Sequence, residues 1–161
     1  MADSTMLEAL KSTKLASELD DAQCRILADV VTIREFPKDA VVVREGTADN
    51  HLYVILSGGL SVVHKHGKAD AETLFSLDTG DFVGELGFVD GTKHYASLVA
   101  IEATCLLSLE RQALEGLLDR APWVVYRVMR AIFRTTHEIQ RRLSMQSVEL
   151  TNYIYKQHGK Y

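Results

Sequence analysis

Cysteine, proline and tryptophan are scarce in this sequence, and no long apolar run occurs in it. Its 161 residues include two cysteines, two prolines and one tryptophan. Cys24 and Cys105 lie far apart in apolar stretches, which favours buried thiols over a disulfide. Two separated cysteines also exclude the cysteine cluster of an iron–sulfur sensor. Because the sequence contains neither a membrane-length segment nor a signal-peptide pattern, we expect a cytoplasmic protein without membrane contacts.

An excess of positive charge is also missing. There are 18 lysines and arginines against 22 acidic residues, a net charge of −4, whereas nucleic-acid surfaces normally carry a basic stripe. Five arginines near the C-terminus lie off the heptad positions, among Glu138 and Glu149, a pattern typical of the solvated flank of a helix: Arg127, Arg130, Arg134, Arg141 and Arg142. No serine or cysteine stands in a nucleophile elbow. We therefore expect no direct nucleic-acid binding and no enzymatic activity.

Hydrophobic residues make up 47% of the chain, enough for one buried core. Residues 4–31 predict two short helices, the second capped by Asp20 or Asp21. Short β-branched runs separated by turn residues follow at roughly 8–12 residue spacing, which predicts a sandwich or barrel. The predicted strands are 32–36, 40–44, 52–57, 59–64, 72–77, 96–100 and 104–109. A short helix over 111–120 precedes a long helix that begins at Pro122.

The stretch from Gly80 to Ala100 contains two glycines three residues apart, Gly84 and Gly87, with a carboxylate, Glu85, between them. Such glycines allow a tight turn whose backbone N–H groups converge. A turn of this kind opening one helical turn favours binding of an anion. A well-packed turn without a ligand is the alternative interpretation.

The stretch Gly80-Asp81-Phe82-Val83-Gly84-Glu85-Leu86, a short gap and then Ala96 resembles the phosphate-binding cassette of cyclic-nucleotide-binding domains. Residues 36–46 and 52–58 resemble the paired strands that precede it in that family. The resemblance spans about 15–143 and is closest to bacterial regulators of the catabolite-activator type. It implies a mainly β fold with flanking helices: a jelly-roll β-roll over 1–121 and a long dimerisation helix over 122–158. The sequence stops before the DNA-binding domain of those regulators, so it either lacks one naturally or is truncated.

The resemblance also implies a ligand site, cyclic AMP or cyclic GMP being the implied ligand, with no cofactor. The implied ligand-binding residues are Gly84, Glu85, Leu86, Gly87, His94, Tyr95, Ala96 and, on the long helix beside Ile139, Gln140. Glu85 would accept from the ribose 2′-hydroxyl. His94 stands where the family has a phosphate-binding arginine, and Tyr95 where it usually has a small hydroxyl residue; Lys93 is an adjacent candidate cation.

The substitution at His94 weakens the expectation of tight cyclic-nucleotide binding. Imidazole has a reference pKa of about 6.5, so only roughly a quarter is charged at neutral pH. Losing a hydrogen bond to a charged group costs roughly 1.5–3 kcal/mol. Three alternatives remain open: a cyclic nucleotide, another small anionic ligand, or a degenerate pocket on a ligand-independent dimerisation module.

The long helix carries an apolar heptad pattern over about four heptads. Its a and d positions are Val125, Met129, Ile132, Thr136, Ile139, Leu143, Gln146, Leu150 and Tyr153. The first turns could pack on their own domain, but the far half requires a second chain. We therefore expect a homodimer through residues 122–158, with Gln146 as a polar register residue, and a separate effector protein as the target of the signal.

A metal-binding cupin-like enzyme is the alternative from another class. His64 and His66 lie two apart on a predicted strand and so share a face, with Glu72 as a later carboxylate. The spacing to Glu72 is long, and the second cupin motif is absent. Solvated histidines at a hairpin end are the simpler interpretation.

Overall fold

The computed structural model describes residues 2–158, without the side chains of residues 2, 3, 143, 157 and 158. The chain starts with helix α1 (Ala2–Lys11), a 3-10 turn (Lys14–Ala16) and helix α2 (Asp21–Ala28). Asp20 begins α2 because its carboxylate accepts from the backbone N–H of Gln23, whose side chain in turn accepts from the Asp20 backbone. This reciprocal cap satisfies two N–H groups that the helix leaves free.

Eight strands follow. One short helix lies between the sixth and seventh strands, and another follows the eighth. The strands are β1 (Val31–Phe36), β2 (Val41–Val43), β3 (His51–Ser57), β4 (Gly59–His64), β5 (Glu72–Asp78), β6 (Phe82–Val83), β7 (Ser97–Ala100) and β8 (Thr104–Glu110). The helices are α3 (Glu85–Asp90), α4 (Arg111–Glu115) and the long α5 (Pro122–His158). The seven predicted strands are confirmed to within one residue at each end, and α4 is shorter than predicted.

The strands form two antiparallel four-stranded sheets with the orders β1-β8-β3-β6 and β2-β7-β4-β5. Apart from the β4–β5 hairpin, neighbouring strands in each sheet are not consecutive in the chain, as in a jelly roll. The predicted mainly β jelly roll with flanking helices is therefore confirmed. β6 contributes only two residues, paired to Tyr53 and Val54 of β3, and this short pairing places the following turn at the end of the roll.

Two apolar clusters build the core. One lies between the sheets and includes Tyr53, Ile55, Val62, Leu98 and Leu106. The other covers the outer face of the β1-β8-β3-β6 sheet and joins it to the helices. Its members include Leu15, Leu27, Val54, Leu107, Val124, Val128 and Ile132. Strand β3 contributes alternate residues to both clusters because successive side chains point to opposite faces.

The near half of α5 packs on its own domain through Val124, Val128, Ala131, Ile132 and Thr135, all at most 5% exposed. Val125 and Met129 are partly buried beside them. Ile132 is therefore a core residue of the single chain, so its predicted place in a dimer seam is wrong. The reason is that the same apolar spacing serves packing on a sheet-and-helix layer as well as a coiled coil.

Three of the five arginines on α5 contact the N-terminal segment, while the side chains of Arg130 and Arg134 remain 50% and 57% exposed, so the solvated flank also carries ion pairs. Glu18, whose side chain is only 12% exposed, lies 3.1 Å from Arg130 Nε and 2.8 Å from Arg134 Nη2. Arg127 donates to the side-chain oxygen of Gln23 at 2.7 Å. These contacts fix the helix against the turn that precedes α2.

The far half of α5 is exposed along its described side chains. Met145, Val148 and Leu150 are 61%, 53% and 61% exposed. The side chain of Leu143, a predicted seam position, lies outside the described residues. Cys24 is buried as predicted, whereas Cys105 is only partly buried. Among residues 2–158, no helix has the length and apolar character that crossing a bilayer requires. The division of the chain at residue 121 stays a prediction.

Candidate functional site

The turn between β6 and α3 is held in a conformation that only glycine adopts easily. Gly84 has φ +81°, and a Cβ built on it would lie 2.8 Å from the backbone oxygen of His51. A Cβ on Gly87 would lie 3.1 Å from the backbone oxygens of Asp49 and Thr92. The two predicted glycines therefore allow the turn to lie directly against the start of β3.

Gly84→Ala is expected to destabilise the protein by roughly 2–5 kcal/mol, since left-handed backbone strain costs about 1–2 and overpacking about 1–3. Gly67→Ala is the matched control. Gly67 has φ +79° but no heavy atom within 4 Å of a built Cβ, so it should lose only the strain. Urea unfolding of both variants measures the difference, and equal losses would contradict the close approach to β3.

A cavity of about 310 Å³ opens beside this turn. Its walls come from the turn, the segment before β7, strands β4 and β5, and one residue of α5. They are Val62, Phe75, Leu77, Phe82, Val83, Gly84, Glu85, Leu86, Gly87, Thr92, Lys93, His94, Tyr95, Ala96, Leu98 and Ile139. Seven of the eight predicted site residues thus line one cavity, although their roles stay predictions. Gln140 is exposed and is not a lining residue, whereas its neighbour Ile139 is.

The His94 imidazole covers the glycine turn. Its Cε1 lies 3.6 Å from a Cβ built on Gly84, and its Nε2 lies 3.6 Å from one built on Gly87. Nε2 is buried and has no hydrogen-bond partner within the described residues. Burial lowers the pKa of His94, and the Asp49 carboxylate only partly opposes this shift. The ring facing the turn is therefore neutral at pH 7.

Glu85 and Tyr95 both line the cavity, and both have a raised pKa. Burial raises the pKa of Glu85, and only its own backbone N–H counteracts that shift. Burial also raises the pKa of Tyr95, with a smaller contribution from the Glu85 charge. In residues 2–158 no donor from another residue reaches the Glu85 carboxylate, so its oxygens can accept from a ligand.

A polar network that the sequence analysis missed lies beneath the turn. Asp49 accepts from the Tyr53 hydroxyl at 2.7 Å and lies 2.6 Å from His51 Nδ1. Arg34 donates to the same hydroxyl at 3.0 Å. Tyr53 is 1% exposed, and burial followed by the bond to Asp49 raises its pKa. Asp49, His51 and Tyr53 lie within one five-residue segment, and Arg34 joins them from β1, nineteen residues before Tyr53.

The apolar side of the cavity was also missed as a site, although its strands were predicted. Val62 of β4 and Phe75 and Leu77 of β5 face it. Phe75 is 47% exposed and lies on an edge strand. An aromatic residue on an exposed edge strand could have indicated this part of the site from the sequence, since edge strands normally carry polar side chains.

The predicted histidine pair does not build a metal site. His64 Nδ1 lies 3.1 Å from Glu45 Oε1, and His64 pairs in register with Glu72 across the β4–β5 hairpin. Within the described part of the chain, no three His, Cys, Asp or Glu side chains are grouped to hold an ion. The cupin-like alternative therefore has no ligand set among these residues.

A jelly roll with a glycine turn beside a largely apolar cavity defines a β-roll domain with a candidate ligand site. The family model described as cyclic nucleotide-binding domain matches residues 33–121, more than half of the sequence. The chain belongs to this family. The predicted resemblance is therefore confirmed.

Individual relatives agree with this assignment. The cyclic AMP receptor protein of Thermus thermophilus is 29% identical over 116 residues, 72% of this chain and 54% of that protein. A cyclic nucleotide-binding domain from Methylobacillus flagellatus has a TM-score of 0.74 at 26% identity, covering 88% of this chain and 81% of that one. The regulatory subunit of a cAMP-independent protein kinase A from Trypanosoma brucei has a TM-score of 0.68 at 26% identity, covering 88% and 51%. The chain thus spans about half the length of the Thermus protein.

Proposed function

We propose that this chain is a regulatory sensor in which a nucleotide-related ligand occupies the cavity and changes the position of α5. The observation that carries the proposal is the place of Ile139. This α5 residue lines the same cavity as Glu85 and His94, so one ligand can contact both the roll and the helix. A ligand shifts such an equilibrium only if it binds the two helix arrangements with different affinity.

The exposed surface of α5 supports a homodimer as the signalling unit. Because Val125 and Ile132 pack on their own roll, the dimer seam proposed here replaces them by the residues one position later, Tyr126 and Phe133. This exposed seam has one heptad position at Tyr126, Phe133, Gln140 and Ser147 and keeps the other at Met129, Thr136 and Leu150. Met129 and Thr136 are partly buried, and the remaining seam residues are exposed. Phe133 is 69% exposed and Tyr126 51%, and burial of such aromatic surface stabilises association.

We expect the signal to pass to a separate effector or to a further segment. The names of the relatives differ in their dependence on cyclic AMP. The Thermus relative is named as a cyclic AMP receptor and the trypanosome one as a cAMP-independent kinase subunit. Ligand identity therefore has to come from the cavity residues of this chain. A ligand-independent dimerisation module is the second candidate, and the presence of His94 and Tyr95 at the phosphate positions favours it.

Hydrogen–deuterium exchange of the α5 amides tests the sensor. Saturation with adenosine, guanosine, cyclic AMP or cyclic GMP is expected to change exchange around Ile139, because contact with the ligand alters local opening of the helix. Calorimetry on the same samples establishes occupancy. A ligand that saturates the cavity while every α5 amide keeps its exchange rate would refute the coupling and leave the dimerisation module.

Ile139→Ala provides the matched variant for this test. It should weaken ligand binding in part, since one of several apolar wall residues is truncated, and at saturating ligand it should reduce the exchange response of α5. Val148→Ala removes a side chain that is 53% exposed nine residues later on the same helix. That control should respond to ligand as the parent does.

A further inference from the structure

The cavity combines a nucleotide-binding fold with a phosphate position that carries no fixed positive charge. Of its lining residues, only Lys93 is a permanent cation, and its side chain is exposed at the rim. Glu85 is the lining carboxylate. A phosphate placed here would lose its hydration and lie near the Glu85 carboxylate. No buried cation among the lining residues would offset the cost of burying that negative charge.

The space over the turn is also filled. The His94 ring lies against Gly84 and Gly87 at the distances given above, so the turn faces an imidazole. Burial keeps that imidazole neutral. Its Nε2 is buried and lacks a partner in the described residues, so it presents no donor at the cavity surface to an incoming phosphate.

The remaining walls suit the rest of a nucleoside. Glu85 offers carboxylate oxygens that no other described residue uses, and a pair of ribose hydroxyls can donate to them. Val62, Leu77, Leu98 and Ile139 supply an apolar surface that matches the face of a purine. The volume of about 310 Å³ is at the lower end of the range for ligand sites, about 300–1,000 Å³.

We propose that the cavity selects an uncharged purine ribonucleoside over the corresponding cyclic nucleotide. This proposal rests on the sensor function above and names the ligand class of the same site. Glu85 holds the ribose hydroxyls, the apolar wall holds the base, and His94 occupies the phosphate position.

Isothermal titration at pH 7.5 of the full chain with adenosine, guanosine, cyclic AMP and cyclic GMP tests this selectivity. Adenosine or guanosine is expected to bind at least about tenfold more tightly than its own cyclic monophosphate. The 2′-deoxy form of the preferred nucleoside is expected to lose about tenfold or more. Glu85→Gln should show a comparable loss, whereas Glu102→Gln, on an exposed loop, should bind as the parent does.

The possible outcomes separate this inference from the sensor function. A cyclic nucleotide that binds more tightly than its nucleoside overturns the selectivity and leaves the sensor function intact. Equal binding of the ribo and deoxy forms, or unchanged binding by Glu85→Gln, overturns the role of Glu85 and with it the proposal. Silence of the folded parent toward all four probes overturns both the inference and the sensor function. Circular dichroism of each variant establishes that it is folded.

Discussion

Replacing His94 by arginine is expected to tighten cyclic AMP binding by roughly tenfold to 150-fold, because a charged, bidentate donor gains about 1.5–3 kcal/mol toward a phosphate. In the parent, the neutral imidazole lies over the glycine turn and offers at most one donor. Affinity for adenosine, which has no phosphate, should not increase. Isothermal titration of both proteins with both ligands measures the change in selectivity.

The pH dependence of cyclic AMP binding by the parent and by His94→Arg shows whether the charge on residue 94 causes the change in affinity. Binding of an anion favours His94 in its charged form, and burial lowers the pKa of the free ring, so the affinity of the parent for cyclic AMP should rise as pH falls below the ordinary histidine range. Asp49, Glu85 and Lys93 also lie near the ring or the cavity, and Glu85 has a raised pKa. They are common to both proteins, so the difference in slope belongs to His94. His94→Gln controls for loss of the ring. Equal slopes, or an unchanged affinity in the arginine variant, would show that residue 94 does not face the phosphate.

The strands could be predicted because their signals are local. Alternation of β-branched residues and separation by glycine or proline turns identified seven strands. The glycines at 84 and 87 were predicted for a turn, and their close approach to His51 and Asp49 supplies the physical reason. The choice of a jelly roll among all-β folds came from the resemblance, since periodicity does not determine which strands pair.

The missed features depend on contacts between distant segments. Glu18 and Arg134 are 116 positions apart, so their ion pair has no local pattern, and the arginines looked solvated. The network of Arg34, Tyr53 and Asp49 likewise requires the register of β1, β8 and β3. The heptad pattern of α5 identified an apolar helix, but it could not tell whether Ile132 faces the roll or a second chain.

A substitution at Phe133 tests which face of α5 forms the proposed dimer. Phe133→Glu is expected to convert the dimer to a monomer, weakening association by at least about 100-fold. In a two-fold symmetric interface the new carboxylates meet near each other, and juxtaposed like charges cost several kcal/mol. Analytical ultracentrifugation over a concentration series measures the dissociation constant.

Met145→Glu is the matched control, because its side chain is 61% exposed and lies twelve residues later, about 120° around the helix from Phe133. It should remain dimeric if the exposed seam through Tyr126 and Phe133 is the interface. A monomer with Met145→Glu and a dimer with Phe133→Glu would assign the interface to the opposite face of α5. Because Phe133 is exposed in the single chain, its replacement should leave the β-roll folded, and a near-UV spectrum separates dissociation from unfolding. The monomeric variant then shows whether the cavity binds its ligand without a second chain.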